Sequence, residues 1–349
     1  MPAGVELVPV RIVGRTILKK ILNDPYTYAD ETLQGLCRAY PQFYRFAPDT
    51  PRVIMRPDGP IKGKVGIVSG GGSGHLPIFT GYVGPGFLDA VACGDVFASP
   101  SADEMATAMR CANGGAGVLR LYGNYGGDVM NFDMAGDFVE MDGIEATTVV
   151  LADDVASAPI AEREKRRGVA GMVLTFKIAG AAADAGLDLK GVTGVAQKAA
   201  DGCRTMGVAL SPCTVPQAGK PTFSIGEDEM EVGMGIHGEP GVKRGKLRPA
   251  NEVADAMIDP ILADLSLPRG ERVTVLVNSL GATPVEELFI LYNRIADRLE
   301  DAGLSIAHPL VGRYATSMEM AGASVTVMPL DGEMEKYLTA PAACAFWKV

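Results

Sequence analysis

From Lys64 to about residue 200 the sequence keeps one rhythm: a short apolar run, a glycine-bearing loop, then a helix-like stretch. KVGIVS reads as a strand, GFLDAVACG contains a second, GAGVLRLYG is a third and ATTVVLADDV a fourth. Among them SADEMATAMRCA, opened by a Ser/Asp cap, and MNFDMAGDFVEM read as helices. Two alanine-rich apolar segments, GVAGMVLTFKIAGAAADAGL and VTGVAQKAADGCRTMG, also read as helices. Strands and helices alternating in this way point to layered α/β architecture.

The rhythm changes near Gly207. SPCTVPQAGKPTFSIGEDEMEVGMGIHGEPGVKRGK is rich in Gly, Pro, Thr and Ser and is expected to form strands and loops. A helix, ANEVADAMIDPILADL, a strong strand, ERVTVLVNSL, and a helix, PVEELFILYNRIADRLEDAGL, follow. A domain boundary is expected around residue 200, dividing the chain into 1–200 and 201–349. The first 50 residues look peripheral, with Asn23-Asp24-Pro25 and Ala47-Pro48-Asp49 as turns around a helix from Asp30 to Tyr40.

At 349 residues, 47% of them hydrophobic, the chain can bury a sizeable core. Its net charge of -10 argues against nucleic acid as a partner. No run approaches the length of a membrane span, and the opening MPAGVELVPVRIVGRTILKK lacks the pattern of a secretory leader. Cys37, Cys93, Cys111, Cys203, Cys213 and Cys344 show no CxxC spacing, so reduced thiols and a cytoplasmic location are expected, and no metal ligands are assigned.

Two of the three histidines sit in glycine-rich loops. The first loop, SGGGSGHLP, fails three familiar patterns. A Walker A loop needs Gly-Lys-Ser/Thr, a dinucleotide fingerprint needs GxGxxG, and a nucleophile elbow needs GxSxG; His75 or Pro77 stands where each pattern should continue. What survives is a backbone able to approach a small ligand closely, with His75 aimed at it. The second loop, YGNYGGDVMNF, also follows a strand, so both are candidates to face one crevice at the strand ends. Asp128 opens a helix there, and capping competes with catalysis as its role. The third loop, GMGIHGEPG, presents His237 in a frame of glycines. His308, in SIAHPLVG, reads as incidental. Two histidines and an aspartate on three such loops suit a small polar ligand, with imidazole as base or nucleophile. Spacing alone does not name the reaction.

The loops SGGGSGH, NYGGDVMNF, CTVPQAGKPTF with EMEVGMGIHGEPG, and YATSMEMAGASV occur in an order that resembles the K subunit of dihydroxyacetone kinase, over nearly the whole chain. The resemblance implies a dimer in which two α/β domains with mixed sheets hold the substrate between them or at their edge. It implies that His237 bonds covalently to a ketose carbonyl as a hemiaminal. His75 would hydrogen-bond the substrate and assist proton transfer, and Asp128 would accept the proton of the attacking hydroxyl. Gly72, Ser73 and Gly74 would line the substrate. The nucleotide, ATP or ADP with magnesium, would sit on a separate all-helical L-type subunit and not on this chain, with a phosphotransferase-system protein recharging ADP in some systems.

The sequence departs from the family in GSGHLP, where Leu76 replaces a glutamate, and in GNYGGD. There Gly123 replaces a lysine that contacts a substrate oxygen in relatives, and Gly126 replaces a threonine. Lost anchors and added room suggest a ketose larger than dihydroxyacetone, such as erythrulose or a branched pentulose. The rival readings are a ligand-sensing regulatory paralogue, weakened by the presence of His237, and a serine hydrolase using Ser73, weakened by the failed elbow pattern.

Overall fold

The computed structural model describes residues 18–48 and 50–348. The leader question at residues 1–17, and Asp49 of the second turn, lie outside that range. Helix α1 (Tyr28–Ala39) leads into a first sheet of β1 (Arg45–Phe46), β2 (Val53–Met55), β3 (Gly66–Ser73), β4 (Ala90–Val96), β5 (Val118–Gly123) and β6 (Ala146–Leu151). Their order is β1-β2-β4-β3-β5-β6. The four strands β4, β3, β5 and β6 run parallel, while β1 and β2 are antiparallel additions at one edge.

Two helices, α2 (Ala102–Ala112) and α3 (Gly126–Met141), cover one face of this sheet, with Met105, Met109, Phe132, Ala135 and Val139 buried in the layer between. Helix α2 starts as the sequence suggests. The Ser101 hydroxyl accepts from the Glu104 N–H at 3.3 Å, and the Glu104 carboxylate accepts from the Ser101 N–H at 2.7 Å, a reciprocal capping box. The opposite face takes α4 (Gly171–Asp184) and α5 (Leu189–Gly202).

Residues 204–329 form a second mixed sheet. Its strands are β7 (Arg204–Ser211), β10 (Glu229–Val232), β11 (Lys243–Lys246), β12 (Arg272–Ser279), β13 (Ser305–Ile306), β14 (Leu310–Gly312) and β15 (Ala321–Pro329). The order is β11-β10-β7-β15-β12-β13, with β14 also beside β12. A short hairpin of β8 (Thr214–Val215) and β9 (Lys220–Pro221) stands apart. Helices α6 (Ala250–Leu265) and α7 (Val285–Asp301) pack on the outer face through Met257, Ile258, Ile261, Leu288, Ile295 and Leu299. The last helix, α8 (Gly332–Thr339), packs on α4. One apolar cluster joins Val173, Phe176 and Ala179 of α4, Val192 and Ala196 of α5, Tyr337 of α8, and Leu276 and Met328 of the second sheet. The molecule is therefore layered helix, sheet, helix, sheet, helix, which is the mixed α/β class expected.

Two local expectations change. The helix read through VTGVAQKAADGCRTMG stops at Gly202, and Arg204-Thr205-Met206-Gly207 open β7. Strand β3 also runs on into the first glycine loop, where Gly70, Gly71 and Gly72 pair with Ala92, Cys93 and Gly94. A Cβ at Gly72 would stand 2.7 Å from the Ala98 nitrogen and 2.8 Å from the Phe97 Cα. The glycines thus let two backbones touch side by side.

Candidate active site

The site lies beyond the C-terminal ends of β3 and β5, neighbours at the middle of the first sheet. After β3, Gly74 takes a left-handed conformation, φ +97°, and turns the chain so that His75 points inward, 2% exposed. Segment 316–318, just before β15, clamps this turn. The Met318 N–H donates to the Gly74 carbonyl at 2.8 Å, and the Thr316 hydroxyl donates to the Leu76 carbonyl at 3.1 Å. His75 Nδ1 lies 2.6 Å from the Thr316 carbonyl, which only accepts, so Nδ1 carries the proton and Nε2 is left with its lone pair.

His237 comes from the third loop, 162 residues further along, and its Nε2 lies 3.0 Å from His75 Nε2. Its Nδ1 is 3.0 Å from Glu239 Oε1, and its backbone N–H donates to Glu239 Oε2 at 2.9 Å. Burial alone would raise the Glu239 carboxyl. The His237 hydrogen bond, a backbone hydrogen bond and the nearby Arg167 reverse that and hold it down at about 2. An ionised carboxylate only accepts, so His237 Nδ1 also carries a proton. The two Nε2 lone pairs face each other, and the 3.0 Å contact is a hydrogen bond only with a proton placed between them. Burial, reinforced by His237, pushes His75 down to about 3.

Two aromatic rings flank the pair. Phe97, held at φ +60°, stacks on His75 with centroids 4.8 Å apart and meets His237 edge-on at 5.2 Å. Tyr125 of the second loop meets His237 edge-on at 4.8 Å. Asp128 follows in the first turn of α3. The capping role offered as its alternative is not the one it takes, because Tyr125 occupies the cap position and makes no side-chain cap. Asp128 is 6% exposed and its Oδ1 has no hydrogen-bond partner. Burial raises its carboxyl to about 6, against a hydrogen bond from Ser99. A buried carboxylate with one unsatisfied oxygen, within electrostatic reach of His237, is equipment for moving a proton.

The remaining sequence candidates fall into place less evenly. The Ser73 hydroxyl donates to the Gly94 carbonyl at 2.7 Å and sits 3.2 Å from the Cys93 sulfur. No imidazole activates it, which removes the hydrolase reading. Gly123 is buried, and a Cβ there would meet Met172 Sδ at 3.2 Å and the Gly168 carbonyl at 3.3 Å. The room expected at Gly123 is taken by α4, so only its main chain is left to face a ligand. Gly126 is exposed, with nothing within 4 Å of its Cβ position. Leu76 lines a cavity with Tyr28, Arg313 and Met318 that Ser73, Gly74 and Thr316 also line. His308 is bound to Glu335 at 2.9 Å on the surface, away from the pair. Sequence reasoning passed over Glu239, Thr316, Phe97 and Tyr125. Glu239 and Thr316 were inside quoted motifs, two residues from a histidine and in YATSMEM; Phe97 had no local signal.

Fold and site together define a class of protein: a two-sheet α/β chain carrying a close imidazole pair, one ring buried and one a quarter exposed, and a buried carboxylate with one unsatisfied oxygen, equipped for nucleophilic and general-base chemistry on a small molecule. The Dak1 domain model matches residues 34–346, and the chain belongs to that family. It is 44% identical to the "PTS-dependent dihydroxyacetone kinase 2, dihydroxyacetone-binding subunit DhaK" of Listeria innocua, covering 95% of this chain and 100% of that one. It is 45% identical to the "D-erythrulose kinase" of Mycolicibacterium smegmatis, covering 95% of this chain but only 57% of that longer protein. Among solved structures, the dihydroxyacetone kinase of C. freundii in complex with AMP-PNP and Mg2+ matches with TM-score 0.86 and 33% identity, over 95% of this chain and 61% of that one. The "Dihydroxyacetone kinase operon co-activator Dha-DhaQ" matches with TM-score 0.85 and 33% identity, over 91% and 98%. Among the described residues no helix is long and apolar enough to cross a membrane, and no three His, Cys, Asp or Glu side chains form a metal-binding group.

Proposed function

We propose that this chain is the ketose-binding subunit of a dihydroxyacetone-type kinase. The observation that carries this is the pairing of tautomers: with both Nδ1 protons committed to Glu239 and Thr316, two Nε2 lone pairs converge on one point. A ketose carbonyl answers that arrangement. The His237 Nε2 lone pair forms a C–N bond to the carbonyl carbon, and the C=O π pair moves to oxygen. The alkoxide is protonated by solvent and the alkylated ring releases its Nδ1 proton through Glu239, which completes a neutral hemiaminal. His75 Nε2 is then free to accept from a substrate hydroxyl. A short ketose offers few anchors, and the covalent bond supplies the orientation that hydrogen bonds alone would not.

The terminal hydroxyl of the captured ketose attacks a γ-phosphoryl group in line while Asp128 takes its proton. The nucleotide, ATP or ADP with magnesium, belongs to an L-type partner, recharged in the second case by a phosphotransferase-system protein, and the chain works as a dimer. The ketose is dihydroxyacetone or a larger relative such as erythrulose.

The experiment is carbon NMR with dihydroxyacetone labelled at the carbonyl, repeated with labelled erythrulose. The expected result is a slow-tumbling tetrahedral carbon on the wild type that is absent in His237→Ala. A carbonyl left untouched by folded wild-type protein would defeat the covalent reading. Turnover of the two sugars with a supplied L-type subunit then ranks them; a clear preference for dihydroxyacetone would remove the larger-ketose reading. A ketose-sensing role draws support from the likeness to the co-activator. It is distinguished by capture of the ketose without turnover.

A further inference from the structure

The histidine-loop motif takes in Glu239, but the network that holds His237 runs beyond that motif. Behind Glu239 stands Arg167, from the segment between β6 and α4 in the first half of the chain. Its Nη1 lies 3.9 Å from Glu239 Oε2. Its Nη2 donates to the Gly233 carbonyl at 2.9 Å, at the entrance of the histidine loop. The same guanidinium forks onto Asp154 Oδ2, from Nε at 2.9 Å and Nη2 at 2.7 Å. Asp154 is 3% exposed, and its other oxygen accepts from the Ala156 N–H at 3.0 Å. The guanidinium is therefore fixed from behind, with one edge presented to the carboxylate that orients the imidazole. The loop is cut to fit it. A Cβ at Gly235 would stand 2.1 Å from Glu239 Oε2 and 2.4 Å from Arg167 Nη1. The glycine before Ile236-His237 is where carboxylate and guanidinium meet.

We infer that Arg167, held by Asp154, is a positioning residue that fixes the reactive tautomer of His237 through Glu239. Imidazole left to itself favours the proton on Nε2, which would block the atom that faces His75. Glu239 reverses this by accepting from Nδ1, provided that it stays ionised and keeps its rotamer. Both conditions are met by a fixed cation on its far oxygen. Arg167 reaches His237 only through Glu239, as outer-shell partners of a ligating histidine do. This deepens the proposed function and rests on it only where the ketose is concerned.

The test is nitrogen-15 NMR of the imidazoles in unliganded protein, combined with ketose capture as above. Wild type is expected to show His237 protonated at Nδ1. Arg167→Met is expected to show a population protonated at Nε2, and a fall of roughly 10- to 100-fold in ketose affinity, the range set by loss of a second-shell partner. Glu239→Gln is expected to do the same, with the double variant no worse than the worse single one. Arg167→Lys, which cannot fork onto Asp154 and reach Glu239 together, is expected to fall between. A folded Arg167→Met with the wild-type tautomer and wild-type capture overturns the inference. If that variant does not fold, an unchanged tautomer in Arg167→Lys and in Asp154→Asn overturns it instead. Failure of wild-type protein to capture the ketose would strike the functional reading and leave the tautomer result to stand or fall alone.

Discussion

Asp128 shows what a single residue contributes to the site and what it costs the fold. Its carboxyl is raised to about 6 by burial, with an oxygen that no neighbour satisfies. A folded-state value above the unfolded one means that the native protein binds this proton more tightly. Its stabilising contribution is present below about pH 4 and is lost as pH rises through about 6. Asp128→Asn is therefore expected to raise stability at pH 8, by up to about 3 kcal/mol for two pKa units, and to change it little at pH 4. Denaturant titrations at the two pH values check this, and equal effects at both would contradict it. Turnover should show the opposite sign, because the base works only when ionised. The rate should fall with acid below about pH 6, and His75, neutral down to about 3, should add nothing to that limb. A second expectation is steric. Gly235→Ala should impair ketose capture at least tenfold, since the new methyl meets Glu239 and Arg167 at about 2 Å; binding unchanged by the methyl would show that the loop can yield.

Among the elements, the sequence spoke most clearly where local chemistry and tertiary packing agree. SADEMATAMRCA announced α2, and the capping box confirms the reason; Ser101→Ala should cost about 1 kcal/mol of stability, read as a shift in denaturation midpoint with an unchanged slope. It spoke less clearly where one element hands over to the next. Nothing local distinguishes the end of α5 at Gly202 from the start of β7, because ADGCRTMG suits either and the sheet decides. The first glycine loop was legible as a site but not as strand, since glycine carries no propensity for pairing and only the neighbouring backbone at Ala92 to Gly94 reveals it. His75, His237 and Asp128 were legible because unusual residues stood in permissive backbone. Glu239 and Thr316 were visible in the motifs, but their roles depend on which nitrogen they face. Arg167 and Phe97 were not visible at all, as each reaches the site across the fold from a stretch without a motif.

In the whole molecule, the site belongs to both sheets. His75 rises from the first, Thr316 that holds its ring precedes β15 of the second, and His237 lies on a loop beyond β10. A division near residue 200 follows the membership of the sheets, and we propose it on that ground, but the packing runs across it. Phe176, fully buried in α4, shares a cluster with Leu276 and Met328 of the second sheet and Tyr337 of α8. Phe176→Ala should cost about 3–5 kcal/mol and move a single calorimetric transition to lower temperature. Separation into two transitions would show that the halves unfold independently.

The shared helical layer also decides how a ligand gets in. Two shells joined only by a linker can swing apart and close on a guest, as a hinged jaw does. Here α4, α5 and α8 are wedged between the sheets, and opening the jaw would expose the cluster around Phe176 to water. Entry is thus left to the rim, where the His237 side chain is already a quarter exposed among the glycine segments and the rings of Phe97 and Tyr125. Arrival and departure of the sugar become events of a few residues, on the timescale of loops instead of whole shells.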